Sequence, residues 1–288
     1  MRLIMLIGFV LAGVSALTVW GEPVEPDRIA EYKVTEQGDL RLHVFEPAGH
    51  TAGDRRPALV FFFGGGWIGG GPTHFYHQSE YLAGRGVVAI CAEYRTRKGH
   101  GTTPFECVAD ALSAMRYVRQ HAEEYGIDPD RIGAGGGSAG GHLAMACSTV
   151  TADWLDTDPP EQKKISPRPD ALVLFNPVYD NSPAPAGYGH DRIGEKYVDF
   201  SPAHNLHAGM PPTLVMLGDQ DKLIPVATAE RVQQKMTELG VRSDLILYPG
   251  QGHGFFNRRP TSAKMYHATV RAMDDFLVSL GWLEPLDP

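Results

Sequence analysis

The segment Arg131-Ile132-Gly133-Ala134-Gly135-Gly136-Gly137-Ser138-Ala139-Gly140-Gly141 constrains the fold more than any other part of the chain. It reads as a short buried strand, a glycine-dense turn and the first residues of a helix. Glycines crowd around a single serine only where the backbone reverses so sharply that larger side chains would collide. Gly136-Gly137-Ser138-Ala139-Gly140 fits G-x-S-x-G, a strand-to-helix elbow that leaves the serine Oγ exposed at a helix N-terminus above a sheet edge. The same stretch satisfies G-x-G-x-x-G through Gly135, Gly137 and Gly140, the fingerprint of a dinucleotide site. Such a site calls for a second strand ending in an acidic residue about 20 positions on. Thr151–Asp158 is polar, is followed by proline and does not read as a strand end, so no nucleotide cofactor is expected.

Short apolar runs bounded by Gly, Pro or Asp alternate with stretches of helical period, the pattern of a mainly parallel sheet with helices on both faces. The expected strands are Leu40–Phe45, Ala58–Phe63, Val87–Ala92, Arg131–Ala134, Ala171–Phe175, Thr213–Leu217 and Asp244–Tyr248. Thr103-Pro104-Phe105-Glu106 supplies an N-cap, a proline at the first helical position and a capping-box glutamate. The helix it opens carries Phe105, Val108, Leu112, Met115 and Val118 on one stripe. Further helices are expected from Ala139, over about Val226–Leu239 and over about Ser262–Leu280. Thr151–Asp170 reads as an excursion over the surface. The 288 residues allow one or two domains, but no linker or repeat interrupts residues 22–288, so one domain is expected there.

Three features follow the expected strands. Gly64-Gly65-Gly66-Trp67 comes after Ala58–Phe63, and its backbone N–H groups, unshielded by side chains, suit a developing oxyanion. Gly218-Asp219-Gln220-Asp221 is an acidic turn after Thr213–Leu217. Gly252-His253-Gly254-Phe255 sets a histidine between glycines after Asp244–Tyr248. Ser138, acid and His253 thus arrive in the chain order of a hydrolase triad. Asp219 and Asp221 are both open as the acid.

With Glu93-Tyr94-Arg95 and Asp128-Pro129-Asp130-Arg131-Ile132 added, the chain resembles the hormone-sensitive-lipase-like esterases of the alpha/beta-hydrolase-fold-3 family, most closely exported bacterial acetyl esterases and xylan-deacetylase-like members, over roughly Val34–Leu283. The resemblance implies an α/β-hydrolase fold, a Ser138–His253–Asp221 triad that favours Asp221 over Asp219, and an oxyanion hole of Gly65, Gly66 and Ala139. It implies hydrolysis of short acyl esters on small molecules or oligosaccharides, with no metal or cofactor. Two departures stand out. The family usually has His where this chain has Phe63, which leaves packing to hold the oxyanion loop, and Glu93 stands where Asp is common. The lipase-like members also carry a helical cap for which this chain has too few residues before its first expected strand, so no full cap domain is expected. Trp67, Tyr76 and Phe255, with Phe75, read equally as sugar-binding faces on the cleft rim and as packing for the loops. His74 and His77 are i, i+3 neighbours without a matching carboxylate motif and read as loop or pocket-rim residues rather than metal ligands.

Residues 1–21 combine Arg2 with an apolar run and small-residue cleavage sites, as a secretory signal does, so an exported protein without stable membrane insertion is expected. The formal charge of −8 has the wrong sign for nucleic acid binding. Cys91, Cys107 and Cys147 are an odd number on strand- and helix-like stretches and are expected in the core, unpaired. Two other uses of such a chain stay open: a serine peptidase or amidase of the prolyl-oligopeptidase type, and a non-catalytic binding protein on the same fold.

Overall fold

The computed structural model describes residues 23–286, so the expected signal segment lies outside the described residues. Eight strands form one sheet: β1 (Arg28–Lys33), β2 (Leu40–Phe45), β3 (Arg56–Phe62), β4 (Val88–Ala92), β5 (Ile127–Gly137), β6 (Leu172–Phe175), β7 (Thr213–Gly218) and β8 (Ser243–Tyr248). Their spatial order is β1-β2-β4-β3-β5-β6-β7-β8, with β1, β2 and β4 paired antiparallel and every other neighbour parallel. The longer helices are α1 (Tyr76–Gly84), α2 (Pro104–Gln120), α3 (Ala139–Thr149), α4 (Val226–Glu238) and α5 (Ala263–Ser279).

Alternation along the central strands divides the core in two. Val60, Phe62, Ile90, Leu172, Leu174, Val215 and Leu217 face α2, α3 and α4 through Val108, Leu112, Leu143 and Met236. Leu59, Phe61, Ala89, Cys91, Val173 and Met216 face α1 and α5 through Leu82, Met273 and Leu277. A strand covered on both faces needs no polar side, which is why these strands read as unbroken apolar runs. The capping box opens α2 as expected: the Thr103 N–H donates to Glu106 and the Thr103 hydroxyl accepts from Phe105 N–H at 3.3 Å. Cys91, Cys107 and Cys147 are buried and unpaired, and burial pushes the Cys91 and Cys147 thiols up to about 12. Thiols so protonated are not nucleophiles at neutral pH.

The Thr151–Asp170 excursion is pinned to the body rather than loose. Arg116 on α2 bonds Asp156 and Asp158 through Nη1 at 3.0 and 2.6 Å, and Leu155 is buried beneath it. Residues 176–212, between β6 and β7, carry the short helical turns His190–Ile193 and Tyr197–Phe200 and fold over the Gly64–Trp67 loop. Among the described residues no helix is long and apolar enough to cross a membrane.

Candidate active site

In a parallel sheet the backbone leaves the carboxyl ends of the strands on one edge, where loops from several strands converge. Five such loops meet here, after β3, β5, β6, β7 and β8. Ser138 follows β5 directly, with φ 55° and ψ −119°, a left-handed conformation that costs a residue with a Cβ about 1–3 kcal/mol. Its N–H donates to Phe175 O at 3.0 Å, and its carbonyl accepts from the N–H groups of His142 and Val178 at 3.1 Å each, which fixes the elbow. Gly140 is required by contact: a Cβ there would stand 2.0 Å from Phe62 O.

His253 Nε2 lies 2.9 Å from Ser138 Oγ and His253 Nδ1 lies 2.7 Å from Asp221 Oδ2. An ionised carboxylate only accepts, so Nδ1 carries the ring proton and Nε2 is left to accept from the serine hydroxyl. The Asp221 side chain is fully buried, with its other oxygen taken by the N–H groups of Leu223 and Ile224 at 2.8 and 3.0 Å. Asp219, its rival in the sequence, is exposed and instead accepts from Gly250 N–H at 2.7 Å, bracing the turn that leads to His253. The geometry selects Asp221.

The oxyanion loop lies against the elbow. A Cβ on Gly64 would meet Gly137 O at 2.9 Å and the Ser138 Cβ at 3.5 Å. Gly65, Gly66 and Trp67 all have positive φ, and Gly65 must be glycine because a Cβ would sit 2.0 Å from Gly69 O. Among the described residues, the N–H groups of Gly65, Gly66 and Ala139 donate to no protein acceptor. Ala139 is also the first residue of α3, where the helix leaves N–H groups unpaired and favours negative charge.

Packing alone does not hold this loop, contrary to the expectation from Phe63. Phe63 does stack on Tyr94 at 3.9 Å, and the Tyr94 hydroxyl donates to Phe63 O at 2.7 Å. The missing polar anchor comes from elsewhere: Gly64 N–H donates to His74 Nδ1 at 3.0 Å, and His74 Nε2 donates to Asn257 Oδ1 at 2.6 Å. Asn257 Nδ2 in turn donates to Gly254 O at 2.7 Å, while Gly254 N–H donates to Asn176 Oδ1 at 2.9 Å. One chain of hydrogen bonds thus links the oxyanion loop to the loop that carries His253. Burial lowers the His74 pKa, which keeps the ring in the neutral form this bonding needs. Sequence reading put His74 on a loop or the pocket rim without its anchoring role, and missed Asn176 and Asn257; of these two only Asn176, directly after a buried strand, offered a signal.

The rim aromatics are corrected. Trp67 is 1% exposed, set edge-on to His142 at 5.2 Å and near Phe200 at 5.7 Å. Tyr76 is buried against Phe45 and shares a 2.6 Å hydrogen bond with His43 Nδ1. Phe255 is buried against Tyr248 at 4.8 Å, and Phe75 stacks on Phe61. Their faces are spent on packing, so none of the three expected substrate contacts presents a free ring to the cleft. His77 lies near Arg258 and Glu80, and among the described residues no group of three or more His, Cys, Asp or Glu could hold a metal ion. Glu93 is structural: it accepts from Arg41 N–H at 3.0 Å and bonds His43 at 3.1 Å.

The sequence profile of the alpha/beta hydrolase fold family Abhydrolase_3 matches residues 59–257. The chain belongs to this family. Among curated relatives of this chain, esterase LipC of Mycobacterium tuberculosis is 30% identical over 218 residues, covering 69% of the chain and 53% of the relative. The acetylxylan esterase of Xylanibacter ruminicola is 29% identical over 212 residues, covering 69% of the chain and 41% of the relative. The chain therefore spans about half the length of such curated relatives. Among solved structures, the apo form of Thermogutta terrifontis esterase 2 superposes with a TM-score of 0.86 at 41% identity, covering 92% of this chain and 98% of that one.

Proposed function

We propose that the protein is a serine carboxylesterase that hydrolyses short acyl esters. The observation that carries this is the Ser138–His253–Asp221 hydrogen-bond chain beside three N–H groups without a protein acceptor. His253 Nε2 takes the Ser138 proton as Oγ attacks the ester carbonyl, and the tetrahedral oxyanion draws on Gly65, Gly66 and Ala139. His253 then protonates the leaving alcohol. Water, deprotonated by the same imidazole, attacks the acyl-serine and releases the acid, while Asp221 stabilises the imidazolium in both steps. Loss of one oxyanion donor costs about 3 kcal/mol of barrier.

Short acyl groups are supported by the relatives: Thermogutta terrifontis esterase 2 has been seen with propionate and with butyrate bound. Acetyl groups on carbohydrate are the substrates we favour, by likeness to an acetylxylan esterase, although the buried aromatics no longer argue for sugar stacking. Export is proposed on residues 1–21 alone, and the N-terminal sequence of protein recovered outside the cytoplasm tests it. The deciding experiment is hydrolysis of p-nitrophenyl acetate by wild type and by Ser138→Ala. Loss of turnover in the variant is expected, and equal rates in folded samples of both would refute the mechanism.

A further inference from the structure

A cavity of about 160 Å³ opens beside the oxyanion loop, lined by Gly66, Trp67, Thr102, Arg97, Arg192 and Asp191 among others. It is smaller than the ~300–1,000 Å³ of a site for a whole ligand, so it has room for a functional group rather than a molecule. Two of its lining residues are short of partners. The Trp67 indole N–H and the Thr102 hydroxyl are buried without a hydrogen-bond partner, an arrangement that folded proteins avoid unless something else supplies the acceptor.

The charges around the cavity have the same preference. Arg97 is exposed and its guanidinium makes no ion pair among the described residues. Its segment is nonetheless fixed to the oxyanion loop, since Arg97 N–H donates to Trp67 O at 3.1 Å and Lys98 N–H to Ile68 O at 2.8 Å. Arg192 is also fixed to this loop, donating through Nη1 to Gly66 O at 3.1 Å while lying over the Tyr188 ring. Asp191 offsets this little: it stands 3.9 Å from Arg192 Nε with 79% of its side chain in water. In a chain of net charge −8, two arginines and two orphan polar groups thus line the space next to Gly66. The indole and both guanidinium groups only donate; the threonine hydroxyl can donate as well. A neutral polyol would need acceptors from the protein, whereas a planar, acceptor-only group matches the guanidinium fork.

We propose that this cavity is a subsite for a carboxylate carried by the ester substrate, so that the enzyme prefers anionic over neutral esters. The proposal rests on the esterase reading above and deepens it. The carboxylate can belong to the acyl part, as in a dicarboxylic half-ester, or to the alcohol part, as in an ester of a sugar acid. Arg97 and the rim charges set binding and selectivity, and the acyl-transfer steps are unchanged.

The test is a ratio of kcat/KM values. In one arm 4-nitrophenyl hemisuccinate is compared with 4-nitrophenyl butyrate, which matches its acyl length without the charge. In the other, 3-acetoxybenzoate is compared with phenyl acetate. The expected result is an anionic-to-neutral ratio that falls about tenfold in Arg97→Gln in one arm, and that arm identifies where the carboxylate sits. The same ratio in wild type should fall as salt rises from roughly 0.02 to 0.5 M, which needs no variant. A wild-type enzyme that turns over the neutral esters with ratios insensitive to salt and to Arg97→Gln overturns the subsite and leaves the esterase reading intact. No hydrolysis of any of the four esters overturns both.

Discussion

His74 accepts a hydrogen bond from Gly64 N–H at 3.0 Å while its other nitrogen donates to Asn257 at 2.6 Å, so one neutral imidazole joins the oxyanion loop to the loop bearing His253. His74→Phe keeps the bulk against Phe75 and Phe256 but leaves Gly64 N–H unpaired. It is expected to lower kcat by about 10- to 100-fold with a smaller change in KM, because displaced donors weaken the transition state. His74→Gln, which can accept and donate at similar spacing without titrating, should stay within a few-fold of wild type. The acid limb distinguishes positioning from mere structure. Burial, with Arg259 adding to it, lowers the His74 pKa, so the ring is neutral near pH 7 and gains a proton only on the acid side, where Nδ1–H would confront Gly64 N–H. Protonation of His74 should therefore add to the loss of kcat/KM on the acid side, so that log kcat/KM falls more steeply with falling pH in wild type than in His74→Gln. Equal slopes would refute the role.

Asp221 and Asp219 should separate by orders of magnitude. Asp221→Asn keeps the shape but turns an acceptor toward His253 into a possible donor, and kcat is expected to fall about 10³- to 10⁴-fold. Asp219→Asn weakens one bond to Gly250, and should lower the melting temperature slightly while keeping activity within a few-fold. Kinetics of the two purified variants on p-nitrophenyl acetate check this, and the reverse ranking would exchange their roles.

The central strands were legible because both faces are buried, which leaves runs such as Ala58–Phe63 without polar interruption. Edge strand β1 was not: Ile29 is exposed while Ala30 and Tyr32 are packed, so its alternation runs against residue type. Helix α1 was hidden because its first turns, Tyr76-His77-Gln78-Ser79-Glu80, bury Gln78 and Ser79 rather than an apolar stripe. Strand β5 starts earlier than expected, at Ile127, because pairing with β3 resumes across the irregular Asp128-Pro129-Asp130 stretch. Ser138, Asp221 and His253 could be read because each lies on the loop that leaves a strand and is flanked by glycine or a tight turn. The His74–Asn257 bond spans 183 residues, and no local pattern announces a contact of that reach. The aromatics misled for the opposite reason: nearness in sequence to the loops says nothing about which way a ring is turned.

Stability should fall on the acid side through a second histidine. His142, on α3 four residues after Ser138, is fully buried, stacks on Phe200 and donates through Nε2 to Phe200 O at 3.0 Å, and its pKa is lowered by burial to about 3. Its folded-state pKa lies below the unfolded value of about 6.5, so the unfolded chain binds the extra proton between those values. Stability is therefore complete above about pH 6.5 and declines as pH falls toward 3. From pH 8 to pH 5 this one group should remove about 2 kcal/mol. Urea unfolding of wild type and His142→Gln at both pH values checks it. The variant should lose less on acidification, and an equal loss would show that His142 is not the group responsible.

Acyl length is the last expectation. The aromatic side chains that could have walled a long hydrophobic groove are turned into the core, and the cavity adjoining the oxyanion loop is both small and lined by Arg97 and Arg192. A long acyl chain would leave its methylenes in water and forgo the ~0.8 kcal/mol that burial of each contributes. Four further methylenes that find no wall gain nothing in kcat/KM, whereas a groove that buried them would raise it by orders of magnitude. With 4-nitrophenyl esters, kcat/KM is expected to be highest between acetyl and butyryl and lower for octanoyl. Acetate release from acetylated xylo-oligosaccharides should be measurable under the same conditions. A steady rise from acetyl to octanoyl with no acetate from the sugars would replace the carbohydrate assignment with a lipid-ester role, and would require a groove formed by movement of residues 176–212 away from the oxyanion loop.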